Sequence, residues 1–197
     1  MKSYTENPNL SRKYTLLIDA EMLDKTAFGL IVNFERVFER RLPKANMNKW
    51  LYAAALDGGF PQKSENTIDA ILIKSPDYKE MRNFDIDMLE CEEPIKSYKN
   101  EAGCFKLYIK NAEEGIATTF LEILNDLSER KNDIENLICV PAPEYIRNIT
   151  NYAHSSDINI SLLVMEPIMG YGFSQELLTY SLFYSLGIST EEIREHI

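Results

Sequence analysis

Tyr14-Thr15-Leu16-Leu17-Ile18-Asp19 decides the reading of this chain. Five β-favouring or apolar residues run without a polar break and then stop at a carboxylate, the pattern of a strand buried on both faces. A strand of that kind belongs to a parallel sheet covered by helices on each side. The stretch that follows supplies such a helix. Its apolar residues Ala27, Leu30, Ile31, Phe34, Val37 and Phe38 keep a 3.6-residue period, with Glu35, Arg36, Glu39, Arg40 and Arg41 mostly on the other side. Asp24 or Thr26 is the expected cap, and Pro43 the expected stop.

Further along, residues 50–56 (WLYAAAL) read as a second strand, halted by Asp57-Gly58-Gly59, and residues 68–73 as a third. Residues 76–103 are charged and poorly periodic, an irregular excursion. Residues 104–110 alternate well enough for a strand. From Gly115 the helical period returns, with Ile116, Phe120, Ile123, Leu124 and Leu127 on one face. Residues 137–140 (LICV) form a short apolar strand, turned by Pro141-Ala142-Pro143 into a helix marked by Tyr145, Ile146, Ile149, Tyr152 and Ala153. Residues 158–165 read as the last strand. Strands separated by helices imply βαβ units and a three-layer α/β/α domain around a mostly parallel sheet.

The expected organisation is a flexible leader at 1–13, one α/β domain at 14–168 and a C-terminal helical extension at 169–197. That extension holds a helix over 174–186 (SQELLTYSLFYSL) and a short one near 190–196. The first is apolar around most of its circumference, so it is expected to be buried, either on its own sheet or against a second copy of the chain.

With 197 residues, 45% hydrophobic and 26% charged, the chain has the composition of one globular domain. The N-terminus lacks the apolar core of a signal peptide, and no stretch approaches the roughly 18 apolar residues of a membrane span. Cys91, Cys104 and Cys139 are odd in number and lack metal-ligand spacing, which fits reduced packing cysteines in a cytoplasmic protein. A net charge of −10 argues against a broad nucleic-acid surface, whose affinity comes from Lys and Arg on phosphates. A small cleft in which bound cations take that role remains compatible with it.

Ligands of open parallel sheets bind beyond the carboxyl ends of the strands. Asp19 and Glu144 stand there, Glu21 lies two residues past Asp19, and Glu122 and Asp126 share a helix face. Carboxylates so placed suit Mg²⁺ or Mn²⁺ and metal-assisted phosphodiester hydrolysis. Each acid also has a plain structural use. Asp19 can cap the next turn, Glu144 behind Pro143 suits a helix start, and Glu122 with Asp126 reads as a solvated face. His154 and His196 have no evident partners. There is no phosphate-binding glycine loop, no Gly-x-Ser-x-Gly elbow, and Cys139 lies inside an apolar strand.

Leu17-Ile18-Asp19-Ala20-Glu21-Met22-Leu23 resembles the opening motif of the NYN branch of the PIN-like ribonucleases, hydrophobic-Asp-Gly/Ala-x-Asn-hydrophobic. Lys110 followed by Gly115-Ile116-Ala117-Thr118-Thr119-Phe120-Leu121 is similar to that family's Lys-Gly-Val-Asp segment. Residues 137–145 (LICVPAPEY) stand where it has a strand and Ser-Gly-Asp-x-Asp-Phe, and residues 158–165 where it has its closing strand. The resemblance covers residues 14–165. It implies a PIN-like fold and a Mg²⁺- or Mn²⁺-dependent ribonuclease with Asp19 and Glu144 as ligands, assisted by Glu21 or Glu122. Three positions depart from the pattern: Met22 replaces the family's Asn, and Ala117 and Ala142 replace acids. The departures imply a divergent domain with weakened or lost cleavage that binds RNA, a nucleotide or a protein partner; a homodimer through 174–186 is a further expectation. An active ribonuclease is the alternative. A haloacid-dehalogenase-like phosphatase with Asp19 as nucleophile is a third reading, lacking that family's later Gly-Asp-x-x-x-Asp motif.

Overall fold

A computed structural model describes residues 13–86, 96–129, 134–154 and 158–196. The deciding stretch forms β1 (Tyr14–Asp19), with every residue buried. It lies between β2 (Thr67–Lys74) and β5 (Asn136–Val140), parallel to both, Ile18 pairing with Leu72 on one side and Val140 on the other. Among the described residues the sheet has seven strands. Outward from β2 come β4 (Gly103–Asn111) and the antiparallel edge β3 (Lys96–Asn100). Outward from β5 come β6 (Asn159–Val164) and β7 (Ser174–Leu177), both parallel.

Alternate strand residues feed two cores, the consequence of a two-residue side-chain period. Leu16, Ile18, Leu72, Ile138 and Val140 pack under α1 (Ala20–Phe38), α2 (Met47–Asp57) and α5 (Leu178–Leu186). Leu17, Ile71, Leu137, Cys139 and Leu162 pack under α3 (Ile116–Glu129) and α4 (Ile146–Ala153). Helices cover both faces, as the sequence pattern requires. After β4, the chain crosses back over β2 and β1 through α3 to enter β5, so the strand order reverses between β1 and β5.

Several sequence expectations change. The first helix needs no cap at Asp24 or Thr26: it starts at once, with the Asp19 carboxylate accepting from the Met22 amide at 2.9 Å. It ends at Phe38, with Glu39 left-handed at φ 51°, before Pro43 is reached. Residues 50–56 are not a strand but the body of α2. Read from residue 47, the buried positions Met47, Trp50, Leu51, Ala54 and Ala55 follow i, i+3, i+4, i+7, i+8. Asn46 caps that helix by accepting from the Lys49 amide at 2.9 Å, and Asp85 holds the Met47 amide at 2.7 Å.

Residues 158–165 are not the last strand, and 174–186 is not one helix. Ser174–Leu177 adds β7 to the sheet edge, and Gln175 ties the connecting loop through the Ile168 amide and carbonyl, each at 2.9 Å. The helix proper, α5, buries Leu178, Leu182 and Leu186 in the core shared with α2 and leaves Tyr180 and Tyr184 exposed. The 190–196 helix is present as α6 (Thr190–His196).

The 76–103 excursion divides. Its first part drives Met81, Phe84 and Ile86 into the α2 core, Phe84 meeting the Trp50 ring edge-on at 6.0 Å. Its last part is β3. Residues 87–95, Cys91 among them, lie outside the described residues, as do residues 1–12 of the expected leader. Cys139 is buried, and Cys104 is partly exposed. Among the described residues no helix is long and apolar enough to cross a membrane.

Candidate functional site

The carboxyl ends of β1, β5 and β6 open onto a cleft of about 910 Å³ at the point where strand order reverses. Open α/β sheets hold their ligands at this place, because the loops leaving neighbouring strands diverge to opposite faces and part there. Asp19, Glu21, Asp24 and Glu144 line the cleft together with Lys25 and Arg82. Three of the four acids expected from the sequence are therefore on one cleft. Glu122 is on the exposed face of α3 and is not among the cleft's lining residues.

Asp19 is 3% exposed and has a partner on each oxygen. Oδ1 accepts from the Met22 amide; Oδ2 accepts from the Tyr145 hydroxyl at 2.9 Å. β1 and β5 are parallel neighbours, so the residues just past their ends, Asp19 and the Pro143–Tyr145 turn, are brought side by side. Burial raises the Asp19 carboxyl above its usual range and Glu21 adds to this, while the two hydrogen bonds pull the other way. Burial, and then the neighbouring Asp19, pushes the Tyr145 hydroxyl up as well.

Glu21 and Asp24 face the other wall. Glu21 Oε1 accepts from the Ser75 amide at 2.8 Å and from its hydroxyl. Asp24 is 7% exposed within α1. Its Oδ1 accepts from the Asn83 amide at 2.9 Å; its Oδ2 accepts from the Tyr78 hydroxyl at 2.8 Å and the Arg82 amide at 3.2 Å. Together these two acids clamp residues 75–83 onto the helix and so build one side of the cleft. Glu144 is exposed, in the short 3₁₀ turn Pro143–Tyr145.

Among the described residues no three acids, histidines or cysteines are grouped so as to hold a metal ion. The acids share a cleft, yet three of them point their oxygens at protein donors. Sequence reasoning missed Tyr145 as a partner of Asp19 and Asp24 as a clamp. Tyr145 carries a usable signal, an aromatic hydroxyl two residues after a Pro-x-Pro turn at a strand end. Asp24 has none, since its partners lie 54 to 59 residues away.

A doubly wound, three-layer α/β domain with an acid-lined cleft at its switch point is the class that fold and site define. The chain belongs to the family of unknown function DUF6621, whose model matches residues 10–193. No curated protein and no solved structure matches it.

Proposed function

We propose that this chain is a divergent NYN/PIN-like domain that has lost metal-dependent cleavage and uses the cleft to bind. The observation that carries this is the state of Asp19: it is buried, with both oxygens already accepting from the Met22 amide and the Tyr145 hydroxyl. A Mg²⁺ or Mn²⁺ ion keeps several waters and so needs its carboxylate ligand in an open, hydrated position. Each Asp19 oxygen keeps a second lone pair beside its protein donor, but at 3% exposure the carboxylate offers a hydrated ion almost no surface. The same burial leaves Asp19 poorly placed as a phosphatase nucleophile.

The active ribonuclease is the second reading, and what favours it is that Asp19, Glu21 and Glu144 line one cleft. Calorimetric titration with Mn²⁺ separates the two, run on the wild type and on Asp19→Asn. The binding-domain reading expects no saturable site in either protein and no Mn²⁺-dependent cleavage of single-stranded RNA. Millimolar or tighter binding lost in Asp19→Asn, with RNA cleavage lost alongside it, would establish the nuclease instead. Self-association through 174–186 would have to rest on Tyr180 and Tyr184, since the leucines of α5 face the core. A concentration-independent monomer mass in sedimentation would dismiss it.

A further inference from the structure

Besides its acids, the cleft is lined by large apolar side chains that are left open. Phe28 on α1 is 56% exposed and Met165, just past β6, is 37% exposed, and both line the cleft. Val32, one turn beyond Phe28 on the same helix, is 40% exposed and continues the stripe. An apolar groove at a sheet's ligand edge marks an interaction site rather than ordinary surface.

Charge decides what fits it. Four acids line the cleft against two cations, and one of these, Arg82, is ion-paired to Glu80 at 3.0 Å. The whole chain carries −10. A phosphate-bearing ligand would meet repulsion both locally and at long range, whereas a cationic one is drawn in. Apolar anchors flanked by basic residues are the chemistry of an amphipathic segment lying in a groove.

We propose that the cleft, with Phe28 and Met165 as its exposed apolar anchors, docks a basic amphipathic segment of a partner protein. Its apolar residues sit on Phe28 and Met165, and its lysines or arginines face Glu144. This rests on the binding-domain reading and specifies its ligand.

The probes are a fluorescein-labelled leucine–lysine peptide of helical amphipathic pattern, its leucine–glutamate counterpart and a labelled oligouridylate, followed by anisotropy. The leucine–lysine peptide is expected to bind the wild type best. Phe28→Ser and Glu144→Lys should each weaken it about tenfold, the effect of removing one anchor or reversing one facing charge. Glu195→Lys, the same charge change made on exposed α6, should leave it within about twofold, as expected for a charge outside the contact. Far-ultraviolet circular dichroism confirms that each variant is folded. Equal loss in Glu195→Lys, or no loss in Phe28→Ser, would reduce the binding to general attraction and overturn the proposal. So would oligouridylate or the leucine–glutamate peptide binding as tightly, or the leucine–lysine peptide not binding at all. The Mn²⁺ titration judges the parent reading independently: a metal-free, non-cleaving protein that ignores the peptide keeps the binding domain and loses only this ligand.

Discussion

Asp19 and Asp57 are two acids whose carboxyls burial pushes up and whose surroundings treat them differently. Asp19 ends a central strand at 3% exposure, and each of its oxygens accepts a hydrogen bond. Asp57 ends α2, half-buried, with its Oδ2 buried and lacking a hydrogen-bond partner, and Glu176 of β7 is its electrostatic neighbour. Burial first, and Glu176 second, push its carboxyl up to about 6. Its place at a helix C-terminus adds the wrong end of the dipole. The difference teaches that the buried acid at the ligand edge of this sheet has its charge answered by protein donors. Asp57, away from that edge, has its Oδ2 left without a donor.

The comparison can be broken most forcefully at Asp19. Asp19→Ala removes the cap of α1 and leaves the Tyr145 hydroxyl without its acceptor. Together these are expected to lower stability by about 2–4 kcal/mol in urea unfolding. A loss under about 0.5 kcal/mol would show that the two hydrogen bonds do little. Asp24→Ala should follow at about 2–3 kcal/mol, because it strips the acceptor from the Arg82 and Asn83 amides and from Tyr78. Hydrogen exchange at the Asn83 amide should quicken in that variant. Exchange unchanged at Asn83 would mean that the 75–83 wall is held by its apolar residues alone.

Asp57→Asn sharpens the contrast in the opposite direction. The folded-state carboxyl titrates above its unfolded value, so the native state holds its proton to higher pH. The ionised form is the disfavoured one, and the group's penalty grows as pH rises from about 4 to about 6 and is complete above that. Asp57→Asn is therefore expected to stabilise by about 1 kcal/mol at pH 7, after discounting for solvent access, and the gain should vanish below about pH 4. A gain that persists unchanged at pH 3.5 would assign the effect to something other than ionisation. Phe28→Ser is expected to change stability by less than about 0.5 kcal/mol, since its ring already lies largely in water. A larger loss would make Phe28 a packing residue rather than part of a docking surface.

Much of the fold was legible because it rests on local pattern. β1, β2, β4, β5 and β6, and the helices α1, α3 and α4, are periodic within their own stretches, and the three-layer parallel arrangement follows from their alternation. The misread elements failed for identifiable reasons. In α2 the alanine-rich window at 50–56 is too short to display its period, and the deciding cap, Asn46, lies outside it. β7 is a polar tetrapeptide whose strand character comes from pairing with β6, and only the leucine-bearing remainder of 174–186 has a helical face to bury.

The candidate site divides along the same line. By itself the sequence determined that Asp19 ends a buried strand and that Glu21 and Glu144 stand at the same edge, because strand termini and parallel topology follow from apolar runs and their spacing. Only the tertiary structure decided what those carboxylates touch. Tyr145 reaches Asp19 across 126 residues, and Ser75 reaches Glu21 across 54. Hydrogen-bond partners at such separations are set by how the layers close on one another. That closure turned the edge's three inner acids inward and left Phe28, Met165 and Glu144 facing out.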